Sequence, residues 1–416
     1  MRPSLRPPGT PFAASAALTL MVVLLLWTVP MPLAHAQTFT TLYNFTGSPD
    51  GASPRASLIR DAAGNLYGTT EGGGVGGYGA VFKLDTRGQE TVLYSFTGSP
   101  DGAYPLAGLI RDAAGNLYGT TSSGGAHVTS GTVFELKRKA GGVWTEKVLH
   151  SFTNRRTDGN MPVAGVIFDG QGNLYGTTYQ GGSLGSGTVF KLSPTSGGHW
   201  KETILHSFGR GTDGTNPSAS LILDHAGHLY GTTTFGGGVS GCLSGPPGCG
   251  TVFKMARAKS GSWNEKTLHA FTGYPDRGNP YSGLVRDAGT LYGTTASGGY
   301  KLYGTVFSVT NTGTYSSLVS FMGYPWAGSP LGGVVFDALG NSYGSAGQGE
   351  AGEGTVFEFD TAGQLIILHS FAGTDGANPV AGLVRDKAGN LYGTTKDGGR
   401  FSQGTVFELT PAPPIY

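Results

Sequence analysis

The residues best suited to chemistry in this chain are a group of aromatic side chains between positions 274 and 326. Flat aromatic rings beside carboxylates and small polar residues suit a sugar, whose C–H face stacks on a ring while its hydroxyls form hydrogen bonds. The candidate ligand-binding residues are Tyr274, Tyr281, Tyr300, Tyr303, Tyr324 and Trp326. The alternative is relaxed sequence drift, with the same rings packing over glycine-rich loops. No class of glycan follows from these residues.

Glu350 and Glu353 are the candidate catalytic residues, because a pair of carboxylates can hydrolyse a glycosidic bond. They lie in the glycine-rich segment QGEAGEG, and acids in such a segment are usually solvated surface. The sialidase motif S-x-D-x-G-x-T-W, the zinc motif HExxH and the haem motif CxxCH do not occur in the sequence. We therefore expect a binding protein rather than an enzyme, with no cofactor and no metal.

The charge of the chain excludes some partners. Lys and Arg number 27 and Asp and Glu number 26, and charged residues make up only 13% of the 416 residues. Without a basic patch, nucleic acid is not an expected partner. Glycine is abundant, with 74 residues, and its periodic placement indicates turns rather than disorder.

One four-part phrase recurs seven times and must position the candidate residues. Its clearest parts are LHSF, DG-x-x-P-x-AG-L-I-x-D, GN-LYGTT and GTVF. The LYGTT part begins at 66, 117, 174, 229, 291 and 391, with a degenerate SYGSA at 342. A repeat of roughly 50 to 60 residues is typical of a propeller or an array.

Each phrase predicts the four strands of one propeller blade. In the second repeat, strand A spans residues 107–112, strand B 116–121, strand C 131–136 and strand D 147–152. No segment after residue 36 has a helical apolar stripe, so we expect an all-β fold.

The two ends of the chain are complementary. The first repeated element, residues 40–45, is a D strand, and the last repeat ends after strands A, B and C at residues 381–386, 390–395 and 404–409. Pairing the N-terminal strand into the last blade removes an exposed edge. We therefore predict a seven-bladed β-propeller of four-stranded blades, whose ring is closed by that strand; the alternative is a linear solenoid.

Two sets of recurrent aspartates have structural explanations. Asp112 and its equivalents precede the A-to-B turn, where an aspartate can accept hydrogen bonds from the backbone of its own turn. The DG-x-x-P aspartates are Asp50, Asp101, Asp158, Asp213, Asp276 and Asp375. They either cap their own loops or form a ring that collects calcium; because they recur, we favour the structural interpretation.

The first 36 residues are predicted to be a signal peptide. Arg2 and Arg6 precede an apolar run, and the sequence Ala34-His35-Ala36 resembles a cleavage site. The alternative is an uncleaved anchor helix. Residues 37–410 then form a single propeller and residues 411–416 a short proline-rich tail. We expect the mature chain in the extracellular space or the bacterial envelope, that is, the periplasm or the outer surface, with no membrane span after cleavage.

The only two cysteines, Cys242 and Cys249, lie in one insertion of the fourth repeat, GCLSGPPGCG. In an exported chain such a pair indicates a disulfide. Two free thiols are the alternative.

The phrase resembles the GloVer tandem repeat, found in exported bacterial proteins. The resemblance rests on G-N-LYGTT, GTVF and L-H-S-F and covers about residues 39 to 409. It implies export and a bacterial envelope or extracellular setting, and it brings no established reaction.

The sequence therefore predicts an exported, non-enzymatic propeller that binds a glycan or a cell-surface protein through the face that surrounds the mouth of its channel. The first alternative is a hydrolase or lyase of extracellular polysaccharide, and the second is a structural scaffold of the envelope. The oligomeric state is open.

Overall fold

The computed structural model describes residues 37–153, 155–239, 248–272, 276, 278–324 and 326–410. Their strands form seven four-stranded antiparallel sheets, in each of which the strands neighbour one another in the order A, B, C, D. We number the sheets as blades 1 to 7 in chain order of their A strands. The predicted all-β, seven-bladed propeller is confirmed.

The two inner strands of the blades are short and regular. The A strands are Ile59–Arg60, Ile110–Arg111, Ile167–Phe168, Ile222–Leu223, Val285–Asp287, Val335–Phe336 and Val384–Arg385. The B strands are Leu66–Thr70, Leu117–Thr121, Leu174–Thr178, Leu229–Thr233, Thr290–Thr295, Ser342–Ala346 and Leu391–Thr395.

The C and D strands are longer in blades 2 to 4. The C strands are Ala80–Leu84, Thr132–Arg138, Thr188–Pro194, Thr251–Arg257, Thr305–Thr310, Thr355–Phe359 and Thr405–Thr410. The D strands of blades 1 to 6 are Glu90–Ser95, Trp144–Ser151, Trp200–Ser207, Trp263–Ala270, Tyr315–Ser320 and Leu365–Ser370.

Blade 7 is built from both ends of the described chain. Its D strand is Thr38–Asn44, which pairs antiparallel with Thr405–Thr410 so that Phe39 lies opposite Leu409. The sheet order is therefore the same as in the other six blades. This pairing satisfies the outer edge of the last C strand with the first strand of the domain.

Every D strand contains a β-bulge against its C strand. In blade 2, Val133 lies opposite His150 and Phe134 opposite Val148, so that Leu149 is the extra residue. Side chains alternate between the two faces of a strand, and one extra residue reverses that alternation. Residues before the bulge, such as Glu146, therefore face the preceding blade, whereas His150 faces the next one.

The hydrophobic core lies between the blades rather than within any one of them. Between blades 2 and 3, for example, Val133, Leu149 and Phe152 pack against Leu174 and Phe190. A glycine in the B strand makes room for the core phenylalanine: a Cβ on Gly176 would lie 2.6 Å from the ring of Phe190. Seven such clusters stabilise seven interfaces, because each blade buries its two faces against its neighbours.

Smaller elements complete the chain. A 3₁₀ turn spans Ala140–Gly142, and a two-residue ladder joins Gly159–Asn160 to Gln180–Gly181. No helix among the described residues is long and apolar enough to cross a membrane.

Candidate functional site

One face of the propeller carries the D-to-A and B-to-C connections, and we call it the channel-mouth face. In all seven D-to-A segments the residue before the proline of DG-x-x-P has a positive φ although it is not glycine. These residues are Ser53, Tyr104, Met161, Asn216, Asn279, Ser329 and Asn378, with φ between 53° and 59°. Left-handed backbone costs about 1–2 kcal/mol at such a residue, so other contacts must hold it.

Backbone hydrogen bonds hold each left-handed residue on both sides. The N–H of Met161 donates to the carbonyl of Ser130 in blade 2, over 2.9 Å, and its own carbonyl accepts from the N–H of Tyr179, over 3.0 Å. The other six blades repeat both bonds. The segment that follows, Pro-x-[AGS], is therefore fixed in the same position in every blade.

The variable residue after this proline lines a pocket at the channel mouth, the axial pocket, of about 480 Å³. Each blade contributes its equivalent residue: Arg55, Leu106, Val163, Ser218, Tyr281, Leu331 and Val380. Because seven equivalent positions meet there, the pocket must lie on the sevenfold axis of the ring. Its volume is that of an ordinary small-ligand site.

The axial pocket is apolar with a polar sector. Four of its seven ring positions are aliphatic, and Met161 and Tyr179 complete the wall. Burial raises the pKa of Tyr179, and burial together with the nearby Tyr179 raises the pKa of Tyr281. Both tyrosines are thus neutral hydroxyls that can donate or accept hydrogen bonds.

The other two polar positions already have partners in their own blades. Arg55 forms an ion pair with Glu71, with Nη1 and Oε2 3.2 Å apart. The hydroxyls of Ser218 and Thr234 lie 2.7 Å apart. Glu71, Thr234 and Tyr179 share a second variable position, directly after the B strand, so two residues per blade can change the chemistry of the mouth.

The aromatic candidates do not form a single cluster. Tyr281 lines the axial pocket. Tyr303 packs against a neighbouring loop, since a Cβ on Gly323 would lie 2.4 Å from its ring. The rings of Tyr300, Tyr324 and Trp326 are exposed on the channel-mouth loops, by 66%, 72% and 61% respectively. Tyr274 lies outside the described residues.

The two candidate acids lie away from the axial pocket. Glu350 is exposed, and Glu353 is half-buried with its carbonyl accepting a hydrogen bond from the N–H of Asn378 over 2.8 Å. Glu353 occupies the same repeat position as Tyr303. Neither carboxylate is among the groups that line the pocket.

Two segments match G-x-S-x-G, the sequence around the nucleophile of α/β-hydrolases. One is at residues 181–185, in the B-to-C loop of blade 3, and the other is at residues 340–344, entering a B strand. The motif requires a strand, a sharp turn and a helix, and neither segment is followed by a helix. Ser183 is exposed and Ser342 is buried, and neither is supported as a nucleophile.

The recurrent aspartates hold their own loops, as predicted. In the A-to-B turn, Asp61 accepts hydrogen bonds from the N–H groups of Ala63 and Asn65 and from the hydroxyl of Tyr67. In the D-to-A segment, Asp50 accepts from the N–H groups of Thr46 and Gly51. Both interpretations as loop caps are confirmed.

The D-to-A aspartates also join the blades. Each accepts a hydrogen bond from a tyrosine or histidine of the preceding D strand, such as Tyr94 to Asp101 over 2.7 Å and His206 to Asp213 over 3.0 Å. In the first four interfaces a glutamate of the next D strand completes the group. These glutamates are Glu90, Glu146, Glu202 and Glu265. We call these interfaces, from 7/1 to 3/4, the carboxyl seams.

A buried carboxyl group close to a second carboxylate favours its protonated form. The Oε1 atoms of Glu90, Glu146 and Glu202 are buried without a donor among the described residues. Burial, with the adjacent aspartate, raises the pKa of Glu90 to about 7 and the pKa values of Glu146 and Glu202 to about 8. Burial raises the pKa of Glu265 to about 6, against the opposing effect of His206.

Two interfaces carry an aromatic ring in place of the glutamate, and we call them the aromatic seams. Between blades 4 and 5, Tyr315 stacks on His269 with ring centroids 4.4 Å apart. Between blades 6 and 7, Phe39 stacks on His369 at 3.7 Å. Interface 5/6 has neither group, because Val319, Trp326 and Leu365 occupy the three equivalent positions.

One carboxyl seam has the composition of a metal site. The ligand atoms of His150, Asp158 and Glu202 lie within 4.8 Å of one another. The same seam recurs with Tyr94 in place of the histidine, and the oxygens of Asp158 already accept from Thr153 and the N–H of Gly159. A shared proton explains the arrangement without a metal.

The predicted disulfide stays a prediction. Cys249 is buried, and Cys242 lies outside the described residues. The predicted signal peptide and the proline-rich tail lie outside them as well.

Sequence reasoning predicted a site at the channel mouth and named Tyr281, but it missed the other residues of the axial pocket and the seam glutamates. The pocket residues are the one variable position inside the constant frame P-x-[AGS], a signal that becomes visible when the seven repeats are aligned by position. The glutamates stand four residues before the recurrent histidine or tyrosine, but the bulge that turns them to the opposite face has no evident signature in the sequence.

Comparison with known proteins identifies the repeat. The profile of the Gloeobacter/Verrucomicrobia repeat matches residues 31–243 and 240–415. No curated protein matches the chain. Among solved structures, virginiamycin B lyase from Staphylococcus aureus is 12% identical with a TM-score of 0.55, and the alignment covers 90% of this chain and 100% of the lyase.

A puromycin-hydrolyzing peptidase from Mycobacterium tuberculosis is also 12% identical, with a TM-score of 0.54. The alignment covers 91% of this chain and 57% of the peptidase. At these identities the likeness concerns the fold alone.

Proposed function

This chain belongs to the Gloeobacter/Verrucomicrobia repeat family, and we propose that it is an exported, non-enzymatic propeller whose ligand binds in the axial pocket. The observation that carries the proposal is the placement of one variable residue from each of seven blades around a single cavity of about 480 Å³. The sequence on both sides of that residue is constant, so packing alone does not explain why the residue differs from blade to blade.

The ligand that we propose is a glycan with its terminal sugar in the pocket. Leu106, Val163, Leu331 and Val380 offer apolar contacts to the C–H groups of a sugar ring. Tyr179 and Tyr281 offer neutral hydroxyls to its hydroxyl groups. The glycan would continue over the exposed rings of the same face. A surface protein that inserts an apolar side chain into the pocket is the other occupant of this type.

A polysaccharide hydrolase or lyase is the second candidate function. It is supported by the likeness in fold to a lyase and a peptidase, which is fold-level analogy. It is weakened by the position of Glu350 and Glu353 outside the pocket. New reducing ends or unsaturated products from an envelope polysaccharide, abolished by Glu350→Gln or Glu353→Gln, would establish it.

A glycan array with the mature chain tests the binding proposal. We expect wild-type binding and at least a tenfold weaker signal for Leu331→Arg, because a guanidinium fills the apolar pocket. Leu339→Arg is the matched control, since Leu339 is exposed on the A-to-B turn of the same blade. Trp326→Ala tests the exposed rings separately. Equal signals for wild type and Leu331→Arg would contradict the pocket, and loss of signal in Leu339→Arg would point to a charge effect.

Export and the disulfide belong to the same proposal. Mass spectrometry of the mature chain from an exporting host should find an N-terminus at Gln37 and no reaction of Cys242 or Cys249 with a thiol reagent before reduction. An intact N-terminus would support the membrane-anchored alternative.

A further inference from the structure

The face opposite the channel mouth carries the A-to-B turns and the C-to-D hairpins, and a second cavity lies there between blades 3 and 4. It measures about 730 Å³. We call it the 3/4 groove. Its wall comes from the A-to-B turns of both blades, from Tyr175 and Lys191 of blade 3, and from Arg257 and Trp263 of blade 4.

Aromatic rings form the inner wall of this groove. Trp263, the first residue of its D strand, packs edge-on to Tyr175 with ring centroids 6.3 Å apart, and Phe168 borders the same space. Both Trp263 and Tyr175 belong to the hydrophobic core between the two blades. The aromatic surface is therefore held rigidly, and a flat ligand can pack against it without ordering loose side chains.

Two cations flank the tyrosine. The ammonium of Lys191 lies 5.6 Å from the centroid of the Tyr175 ring. Arg257 is exposed at the rim, where its Nε donates to the carbonyl of Gly261 over 3.3 Å. Within the described residues, neither side chain forms an ion pair with a carboxylate. The groove thus presents two positive charges that form no ion pair with the described part of the chain.

The two carboxylates of the groove are already committed to their own turns. Asp169 accepts hydrogen bonds from the N–H groups of Gln171 and Asn173 and from the hydroxyl of Tyr175. Asp224 accepts from the N–H and the ring of His228. These hydrogen bonds hold both carboxylates at their own turns, and among the described residues neither carboxylate forms an ion pair with Lys191 or Arg257.

The adjacent groove, between blades 2 and 3, provides an internal comparison. Its volume is about 490 Å³, and Tyr118, Phe168 and Trp200 repeat the aromatic wall. The position of Lys191 is taken there by Glu135, which accepts a hydrogen bond from Tyr118 over 2.6 Å, and the position of Arg257 by Pro194. The same scaffold therefore exists without those two cations, which shows that packing does not require them.

We propose that the 3/4 groove is a second binding site, for a ligand with a six-membered ring that carries an anionic group such as a carboxylate or sulfonate. The ring packs against Trp263 and Tyr175, and the anion pairs with Lys191 and Arg257, whose guanidinium suits a bidentate anion. The ligand is either an aromatic acid or an acidic sugar, since both present this chemistry. The site does not depend on the function proposed for the axial pocket.

The test is a fluorescence titration of the mature chain with 8-anilinonaphthalene-1-sulfonate, with the neutral N-phenyl-1-naphthylamine as the uncharged probe. We expect the sulfonate to bind the wild type and to bind at least tenfold more weakly to Lys191→Glu combined with Arg257→Gln. The neutral probe should be unaffected by the pair of substitutions. Added salt should weaken the binding of the sulfonate.

Two controls keep the result specific. Lys387→Glu changes the net charge at an exposed A-to-B turn of blade 7 and should leave binding unchanged. Competition with methyl glucuronide distinguishes the ligand sources: displacement of the probe favours acidic sugars, and no displacement favours aromatic acids. Absence of sulfonate binding, equal affinity in the double variant, or an equal loss in Lys387→Glu would overturn the proposal.

Discussion

Four consecutive blade interfaces bury a glutamate beside the aspartate of the D-to-A segment, whereas interfaces 4/5 and 6/7 place an aromatic ring at the same repeat position. Both kinds of seam close the same contact in the same fold. They differ in their energetics. Burial of an aromatic ring is favourable at every pH, whereas a buried pair of carboxyl groups is stable only when one of them is protonated. The four carboxyl seams should therefore lose stability as the pH rises above the glutamate range, whereas the rings that replace the glutamate should not contribute to that loss.

The largest effect is expected from transplanting the glutamate into an aromatic seam. Phe39→Glu removes the stack on His369 and brings a carboxylate to Asp375, so we expect a loss of about 4 kcal/mol in the free energy of unfolding at about pH 8.5. Urea unfolding at that pH and at about pH 5.5 should give the smaller loss under acid conditions. Thr38→Glu, exposed on the same strand, is the control, and equal losses in both variants would remove the distinction between seams.

The wild-type protein should lose stability as the pH rises from about 5 to 8. The seam glutamates have raised pKa values of about 7 and 8 in the folded state, so folding favours their protonated forms. That contribution is fully present below the ordinary glutamate pKa of about 4.5, and it is lost progressively as the pH rises from there to the folded values. Allowing for their partial exposure, we expect about 3 kcal/mol in total. A constant free energy of unfolding across this range would contradict the carboxyl seams.

Replacing the glutamate of one carboxyl seam by glutamine should reduce the loss of stability that occurs as the pH rises. Glu202→Gln keeps the shape of the protonated side chain and can donate to Asp158, so it should raise the free energy of unfolding by about 1 kcal/mol at about pH 8.5. At about pH 5.5 the change should be small. The exposed Glu350→Gln is the matched control. Destabilisation by Glu202→Gln at both values would show that the ionised form is the native one.

The smallest effect is expected at interface 5/6, which has neither kind of seam. Trp326 stands where the other loops have their aspartate, but its side chain is mostly exposed. Trp326→Ala should therefore change the free energy of unfolding by less than about 0.5 kcal/mol. Thermal unfolding measures it, and a large loss would mean that the tryptophan replaces the aspartate as a structural contact.

The repeat made the blades predictable because glycine, aspartate and the apolar pairs recur at fixed places. The recurrent aspartates, Asp61 and Asp50 among them, were rightly assigned to loop caps. The seam glutamates were not predictable as partners of those aspartates, because the bulge at Leu149 and its equivalents reverses the faces of the D strand. A simple alternation rule puts Glu146 and His150 on one face, whereas they lie on opposite faces.

The candidate site was predictable only in part. The sector whose sequence departs from the repeat contains Trp326 and the candidate tyrosines. One of these tyrosines, Tyr281, lines the axial pocket. All seven ring positions of that pocket are the one variable position inside the constant sequence P-x-[AGS], so an alignment of the seven repeats identifies them. The sequence does not show that these seven positions meet on the axis of the ring, because this follows from the arrangement of the sheets as seven equivalent blades.

The central claim is that the constant frame builds the propeller and the variable axial residues bind its ligand. The most direct measurement is a crystal structure of the mature chain with the glycan that gives the strongest array signal. We predict that its terminal sugar occupies the axial pocket, against Val380 and within hydrogen-bonding distance of Tyr281. A glycan bound only outside that pocket, or no bound glycan at all, would contradict the claim.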